Sequence, residues 1–135
     1  HATDTAIGAV DKTTPAGTAI WAISAANEVM HKLNDYINEP RTTQTQRELA
    51  EVERSNLTDL VSDKSKQALS EIKNLYRTDD RKTHTEALQT ALNAFVGNHT
   101  KTADKTQQQA LQSAQRDVTS FSNEINRSRG FGMGM

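Results

Sequence analysis

Apolar residues recur at alternating steps of three and four in the first third of the chain. They stand at Ala16, Ala19, Ile23, Ala26, Met30, Leu33 and Ile37. This spacing brings them to one face of an α-helix, as in the seam of a helical bundle. Thr14 is a typical N-cap, Pro15 suits the first helical position, and Pro40 opposes helical backbone at the residue before it. The pattern predicts a first helix between Pro15 and Pro40.

A second helical pattern covers residues 43–76. Its apolar positions follow a period of about 3.6 residues and comprise Leu49, Val52, Leu57, Leu60, Val61, Ala68, Leu69, Ile72, Leu75 and Tyr76. The middle of this stretch, residues 62–67, is polar. Asn56, followed by Asp59, leaves open a break near residue 56, where the asparagine would cap a fresh start.

The remaining helical patterns follow a predicted turn at residues 77–82. Thr83 and Glu86 form a T-x-x-E capping box, which predicts the start of a third helix. Gly97 and Asn98 are typical of a helix C-cap, and residues 102–127 then repeat apolar positions at helical spacing. Gly97 would alternatively only kink one long helix. Residues 84–127 therefore form either two helices or one kinked helix.

The two ends of the chain differ from its middle. Residues 1–13 are small and polar, which predicts an extended N-terminal arm before a helical bundle at residues 14–128. In the Gly/Met-rich C-terminal tail, residues 129–135, Phe131, Met133 and Met135 alternate with three glycines, which argues against a helix. This tail is either a disordered terminus or a segment that becomes ordered against a neighbouring chain.

These elements predict an all-α fold, an elongated antiparallel three- or four-helix bundle with flexible termini. The supply of bulky apolar residues is small, because Ile, Leu, Val and Phe together number 24 in 135 residues. That share is close to the level at which disorder becomes common, yet the net charge is only −1. We therefore expect a folded chain with a thin core, which association with other protein chains would complete, as a homo-oligomer or larger assembly.

The single tryptophan lies beside the seam of the first helix. Trp21 is near Ile20 and Ser24, on a helix that is apolar over most of its first three turns. One interpretation places Trp21 in the core under the second or fourth helix. The other places Ile20, Trp21 and Ser24 on a surface that contacts another protein, since tryptophan is common at interface anchors. The tail residues Phe131, Met133 and Met135 are the other candidates for such contacts.

No motif in the sequence indicates catalysis, a metal or a cofactor. Glu28 and His31 have the E-x-x-H spacing of di-iron bundles, but a second copy is missing, so we interpret them as a surface pair. Asp79 and Asp80 are adjacent carboxylates without apolar neighbours in sequence, as expected for turn residues in solvent. The chain has no glycine-rich phosphate loop and no nucleophile elbow. We expect a protein that is not an enzyme.

Charge and composition exclude several kinds of partner. No run of basic residues follows a phosphate backbone, and only 4% of residues are aromatic, so nucleic-acid binding is not expected. No stretch of 18 apolar residues exists to span a bilayer.

Three Asn-x-Ser/Thr acceptor sequences, at Asn56, Asn98 and Asn126, are about as many as chance gives in a chain rich in Ser and Thr, and they decide nothing about glycosylation.

The first residues suggest an address outside the cytoplasm. Ala2 stands where a signal peptidase would leave a small residue, although His1 is equally consistent with an expression-vector remnant. Polar arms followed by amphipathic helices are similar to minor pilins of type IV secretion systems and to type III filament proteins, a likeness of architecture without a shared motif. The first hypothesis is therefore a periplasmic, secreted or cell-surface subunit of a filament, pilus or secretion apparatus.

Two other hypotheses come from different classes. One is a monomeric periplasmic helical bundle that binds a small apolar ligand or a client protein. The other is a helical viral coat protein, against which the lack of a basic stripe counts.

Overall fold

A computed structural model describes the backbone of residues 6–133 and the side chains of residues 6–127. A helical turn at residues 6–8 precedes four long helices: α1 (Pro15–Asn38), α2 (Gln44–Lys73), α3 (Thr78–His99) and α4 (Lys105–Met133). A short 3₁₀ helix, Thr100–Thr102, joins α3 to α4. All regular structure in the described residues is helical, which confirms the all-α prediction.

Consecutive helices run in opposite directions. Arg47 near the start of α2 contacts the last turn of α1, whereas Gln89 and Asn93 of α3 bond to Thr119 and Gln115 of α4 in reverse order. Both α1 and α4 pack against α2 and α3, but they make few contacts with each other. Among the described helices, α1 and α4 therefore lie on opposite sides of a central α2–α3 pair.

The core is made largely of small side chains. Its buried cluster comprises Ile7, Val10, Ala16, Ala19, Ile20, Ile23, Ala26, Met30, Val61, Ala68, Leu69, Ile72, Ala87, Leu88, Ala91, Leu92, Phe95, Leu111, Ala114 and Val118. About a third of this cluster is alanine, which allows close helix approach but removes little apolar area from water per residue. The packing is consistent with the thin core expected from composition.

The polar middle of α2 contributes to this close packing. Thr58, Ser62 and Ser65 are buried. The hydroxyl of Ser65 donates to the carbonyl of Val61 at 2.7 Å, and that of Thr58 donates to the carbonyl of Arg54 at 2.9 Å. Because these hydroxyls bond to their own helix, they are buried without losing a hydrogen bond. The helix is unbroken through Asn56, so the break left open at that residue does not occur.

A recurrent contact closes each connection between long helices. The fourth residue of α2, α3 and α4 reaches back to carbonyl groups of the preceding segment. Arg47 donates to the carbonyl of Ile37 at 3.1 Å, and Arg81 to that of Leu75 at 2.6 Å. Gln108 donates to the carbonyl of Ala103 at 2.9 Å. These bonds satisfy acceptors left free at the ends of helices and fix the turns between them.

The predicted start of the third helix is wrong. The helix begins at Thr78, and Thr83 and Glu86, the predicted capping box, lie inside it. Asp79 and Asp80 occupy the first turn of this helix rather than a loop. Their negative charges there interact favourably with the positive end of the helix dipole. Thr83 and Glu86 thus have the T-x-x-E spacing of a capping box but lie in the interior of a helix.

The region around Gly97 resolves the choice between two helices and one. α3 passes Gly97 and ends at His99, so the predicted C-cap is two residues too early. α4 starts after Asp104, whose carboxylate accepts from the backbone N–H of Gln107 at 2.7 Å. The Gln107 side chain accepts from the N–H of Asp104 at 3.3 Å, which completes a capping box. Residues 84–127 therefore form two separate helices.

Both predicted ends of the bundle also differ. Residues 6–13 are not extended, because a helical turn and a following turn bury Ile7 and Val10 in the core. At the other end, α4 continues to Met133, so the prediction that the glycines exclude a helix is wrong for residues 129–133. Glycine costs a helix about 1 kcal/mol relative to alanine but does not forbid it. The predicted flexibility of the outermost residues, 1–5 and 134–135, falls outside the described residues.

The capping box of α2 provides a local test of this fold. Thr43 accepts through its hydroxyl from the N–H of Gln46 at 3.2 Å, and Gln46 accepts through its side chain from the N–H of Thr43 at 2.9 Å. We expect Thr43→Ala to lower the free energy of unfolding by about 1 kcal/mol in chemical denaturation. Thr45→Ala, an exposed change two residues later in the first turn of α2, is the control and should have little effect. Equal losses for both variants would contradict the capping role.

Candidate interaction surface

Trp21 is covered mainly by the chain's own N-terminal segment. The indole N–H donates to the carbonyl of Val10 at 3.0 Å. The ammonium group of Lys12 lies 4.3 Å from the centre of the ring, within the range of a cation–π contact. Trp21 is half-buried and packs on the main core. Residues 10–12 therefore supply the surface that the tryptophan meets, which neither sequence-based interpretation included.

The other predicted contact residues lie in different surroundings. Ile20 has 0% exposure and belongs to the core, and Ser24 is half-buried. Ile20 is therefore not accessible to another protein in this structure, because α2 and α3 already pack around that side of α1. The side chains of Phe131, Met133 and Met135 lie outside the described residues, so their predicted contacts with another chain stay a prediction.

An exposed apolar surface lies elsewhere, along the α1–α2 hairpin. We call it the hairpin face; it comprises Val29, Leu33, Tyr36, Leu49, Val52, Leu57 and Leu60. Leu49 and Val52 are 63% and 58% exposed. These positions follow helical spacing on each helix, so they form one continuous side of the hairpin. Exposed apolar patches of this kind are typical of interaction sites.

Two adjacent grooves run along the hairpin face. The first, of about 380 Å³, lies between Val29 on α1 and Leu57 and Leu60 on α2. The second, of about 280 Å³, lies between Leu33 and Tyr36 on α1 and Leu49 on α2. Glu53 lines both grooves. The face thus offers apolar concavities with a carboxylate between them.

Leu49, Val52 and Leu60 are exposed because they lie on the side of α2 away from its buried residues. His99, the last residue of α3, lies against Asn27 and Asn34 of α1. Gln107, at the start of α4, donates to Ser55 of α2. Residues 33–53, which begin at the level of these contacts and include the turn between α1 and α2, form the tip. Ten residues of α2 precede Arg54, which is about 15 Å of helix.

The tip is acidic as well as apolar. Its acidic residues are Asp35, Glu39, Glu48, Glu51 and Glu53, and its basic residues are Arg41 and Arg47, a net charge of −3. The guanidinium of Arg47 donates to the carbonyls of Ile37 and Glu39. Glu48, Glu51 and Glu53 are exposed. A partner that covers the apolar side chains of the tip would therefore meet negative charge around them.

A buried polar cluster holds the base of the tip. His99 is 1% exposed, and its Nε2 lies 2.7 Å from Oδ1 of Asn27, while its Nδ1 lies 3.5 Å from Nδ2 of Asn34. Arg54 donates to Oδ1 of Asn34 at 2.7 Å. The ring of His99 also contacts the edges of His31 and Phe95. These contacts tie α1, α2 and α3 together at the level where the tip begins.

The hydrogen bonds assign one protonation state to His99. Because the Arg54 guanidinium only donates, Asn34 accepts through Oδ1 and presents its N–H₂ group to Nδ1 of His99. Nδ1 then accepts, and the ring proton lies on Nε2 and is donated to Asn27. Burial lowers the pKa of His99 to about 4, and the nearby His31 and Arg54 also lower it, while the bond to Asn27 opposes the shift. The cluster is therefore built around a neutral imidazole.

The candidate chemical groups are not assembled into a reactive site. Glu28 and His31 are both exposed on α1. Within residues 6–127, no three His, Asp or Glu side chains come together in a way that would hold a metal ion. Asn56, Asn98 and Asn126 are exposed. Among the described helices, none has the length and hydropathy to cross a membrane.

Sequence reasoning missed both the hairpin face and the His99 cluster. Leu49, Val52 and Leu60 belong to the apolar set of the second helical pattern. They lie on the side of α2 away from its buried residues, and a period of 3.6 residues does not by itself identify which side is buried. The pair His99 and Asn27 is separated by 72 residues and carries no local pattern.

Comparisons with protein-family models, with curated proteins and with solved structures found no match to the chain.

Proposed function

We propose that the protein is a non-enzymatic helical subunit that works by protein–protein association outside the cytoplasm, in a surface filament, pilus or secretion apparatus. The observation that carries the proposal is the exposure of Leu49 and Val52 on the uncovered tip. Leu49, with Tyr36 and Leu33, lines an apolar concavity that the described helices leave open. Burying such surface against another protein is favourable in proportion to the apolar area removed from water.

The thin core supports association in a second way. Its alanine-rich packing gives each residue little buried area, so an interface adds a substantial share to the total apolar burial. The extracytoplasmic location is proposed on the sequence alone. The type of assembly rests on the architecture, with paired long helices that present an uncovered end.

A substitution on the tip tests this function. We expect Leu49→Ser with Val52→Ser to weaken association strongly while leaving helix content and unfolding unchanged, because both side chains are already exposed. Sedimentation velocity over a concentration series measures the effect. The matched control is Tyr76→Ser, which removes a side chain that is 99% exposed and lies far from the tip.

The outcomes separate association from the second candidate function. A native protein that associates, and a Leu49→Ser/Val52→Ser variant that does not, support the proposal. A native protein that stays monomeric at every concentration contradicts self-association. In that case, the groove between Val29 and Leu60 favours a monomeric ligand-binding bundle, because its volume of about 380 Å³ is within the range of small-molecule sites.

A further inference from the structure

We propose that the tip of one subunit binds residues 127–135 of a second copy, so that subunits join head to tail. This inference rests on the proposed function and names the partner of the same surface. It is carried by the position of the two segments in the fold and by their opposite charge.

The two segments lie at opposite ends of the molecule. Gln107 of α4 bonds to Ser55 and Asp59 of α2, and Lys73 at the end of α2 lies 5.5 Å from the ring of Phe121. α2 and α4 therefore run parallel, and α4 leads away from the tip. Ile125 shares a groove with Thr78, the first residue of α3.

α4 continues beyond its neighbours at the end opposite the tip. Helix α2 ends at Lys73 and α3 begins at Thr78, whereas α4 runs on to Met133. Eight residues after Ile125 correspond to about 12 Å of helix past the last described contact with α3. The turn of the α1–α2 hairpin thus lies at one end of the described bundle, and the C-terminal part of α4 lies at the other.

The chemistry of the two segments is complementary. Residues 127–135 contain Arg127 and Arg129, no acidic residue, and the apolar side chains of Phe131, Met133 and Met135. The tip has a net charge of −3, and its Glu53 lines both apolar grooves. Arginine pairs with carboxylates, and methionine adapts its flexible side chain to irregular apolar surfaces. A basic, apolar helix in an apolar groove is a known mode of peptide recognition.

The charges argue against a symmetric dimer, and the direction of α4 argues against a fold-back within one chain. Two tips facing each other in a symmetric dimer would bring Glu48, Glu51 and Glu53 of both copies together, which is unfavourable. A fold-back within one chain is opposed by the direction of α4, because the 26 residue steps from Gln107 to Met133 span about 39 Å away from the tip. Contact between different surfaces of two copies is heterologous and produces an open chain unless it closes into a ring.

A charge-reversal experiment on the full chain tests this contact. One variant carries Arg127→Glu and Arg129→Glu, and another carries Glu51→Lys and Glu53→Lys. We expect each alone to raise the dissociation constant of self-association about tenfold or more, since attraction at the contact becomes repulsion. Sedimentation velocity at low salt is the measurement, and far-ultraviolet circular dichroism checks that both variants remain helical.

Mixing the two variants provides the decisive comparison. In the mixture, the unchanged tip of the first variant meets the unchanged arginines of the second, and the two reversed segments also attract each other. We expect association to return in the equimolar mixture and in a single chain that carries all four substitutions. A matched control, Lys101→Glu with Lys105→Glu, reverses one charge in the 3₁₀ helix and one at the first residue of α4. This variant should associate like the native protein.

The results distinguish this inference from the proposed function. If Leu49→Ser/Val52→Ser abolishes association but Arg127→Glu/Arg129→Glu leaves it at the native level, the tip binds something other than residues 127–135, and the inference is wrong while the function stands. Failure of the mixture to recover association overturns the inference in the same way. A native protein that never associates overturns both.

Discussion

Replacing Phe95 by alanine is expected to lower the free energy of unfolding by about 4 kcal/mol. Phe95 is fully buried in the core cluster, and its ring lies 5.0 Å from the ring of His99. Truncation leaves a cavity in the core cluster, about a third of whose side chains are alanine. Because a domain of this size is typically stable by about 5–15 kcal/mol, the change removes a large part of the total.

Chemical denaturation followed by circular dichroism measures this loss. Phe121→Ala is the matched control, because Phe121 is only half-buried beside Lys73. We expect a clearly smaller loss for the control. A loss for Phe95→Ala that is no greater than that for Phe121→Ala would show that the core does not depend on the packing described for α3.

Lowering the pH from 7 to 4 is expected to reduce the free energy of unfolding by up to about 3 kcal/mol through His99. The pKa of His99 is lowered from 6.5 to about 4 in the folded chain. Between these values the unfolded chain binds a proton that the folded chain does not, so stability falls as the pH falls. The contribution is fully present above pH 6.5 and is lost as the pH approaches 4.

His99→Gln tests the assignment because glutamine does not titrate. We expect this variant to be less stable at pH 7 but to show a shallower pH dependence between 6.5 and 4. Asn98→Gln, an exposed change to a non-titrating side chain beside His99, is the control and should keep the native slope. Asp11 also loses stabilisation at low pH, because bonds from Thr13 lower its pKa, but that loss begins below the His99 window. An unchanged slope in His99→Gln would contradict the neutral, buried imidazole.

The parts of the fold that local chemistry determines were predictable. Pro15 and the N-cap Thr14 define the start of α1, and Pro40 limits its end, because each acts on its own backbone. The start of α3 was missed because its local signal is ambiguous. The spacing of Thr83 and Glu86 is the same in a capping box and inside a helix, and only the position of the first turn distinguishes them.

The interaction surface was less predictable, because it depends on contacts between distant residues. Leu49 and Val61 have the same helical spacing, yet Leu49 is 63% exposed and Val61 is buried. The difference comes from the side of α2 on which each residue lies, because Val61 is on the buried side of the helix and Leu49 is not. Trp21 illustrates the converse case, since its partners at Val10 and Lys12 belong to a segment that its composition made look extended.

Amide hydrogen exchange of the native protein at low and high concentration tests the central claim most directly, which is that the tip is the surface covered on association. The account predicts slower exchange at high concentration in residues 33–53, with exchange around Trp21 unchanged. Protection confined to the Trp21 region, or no protection in residues 33–53 while sedimentation shows association, would contradict it.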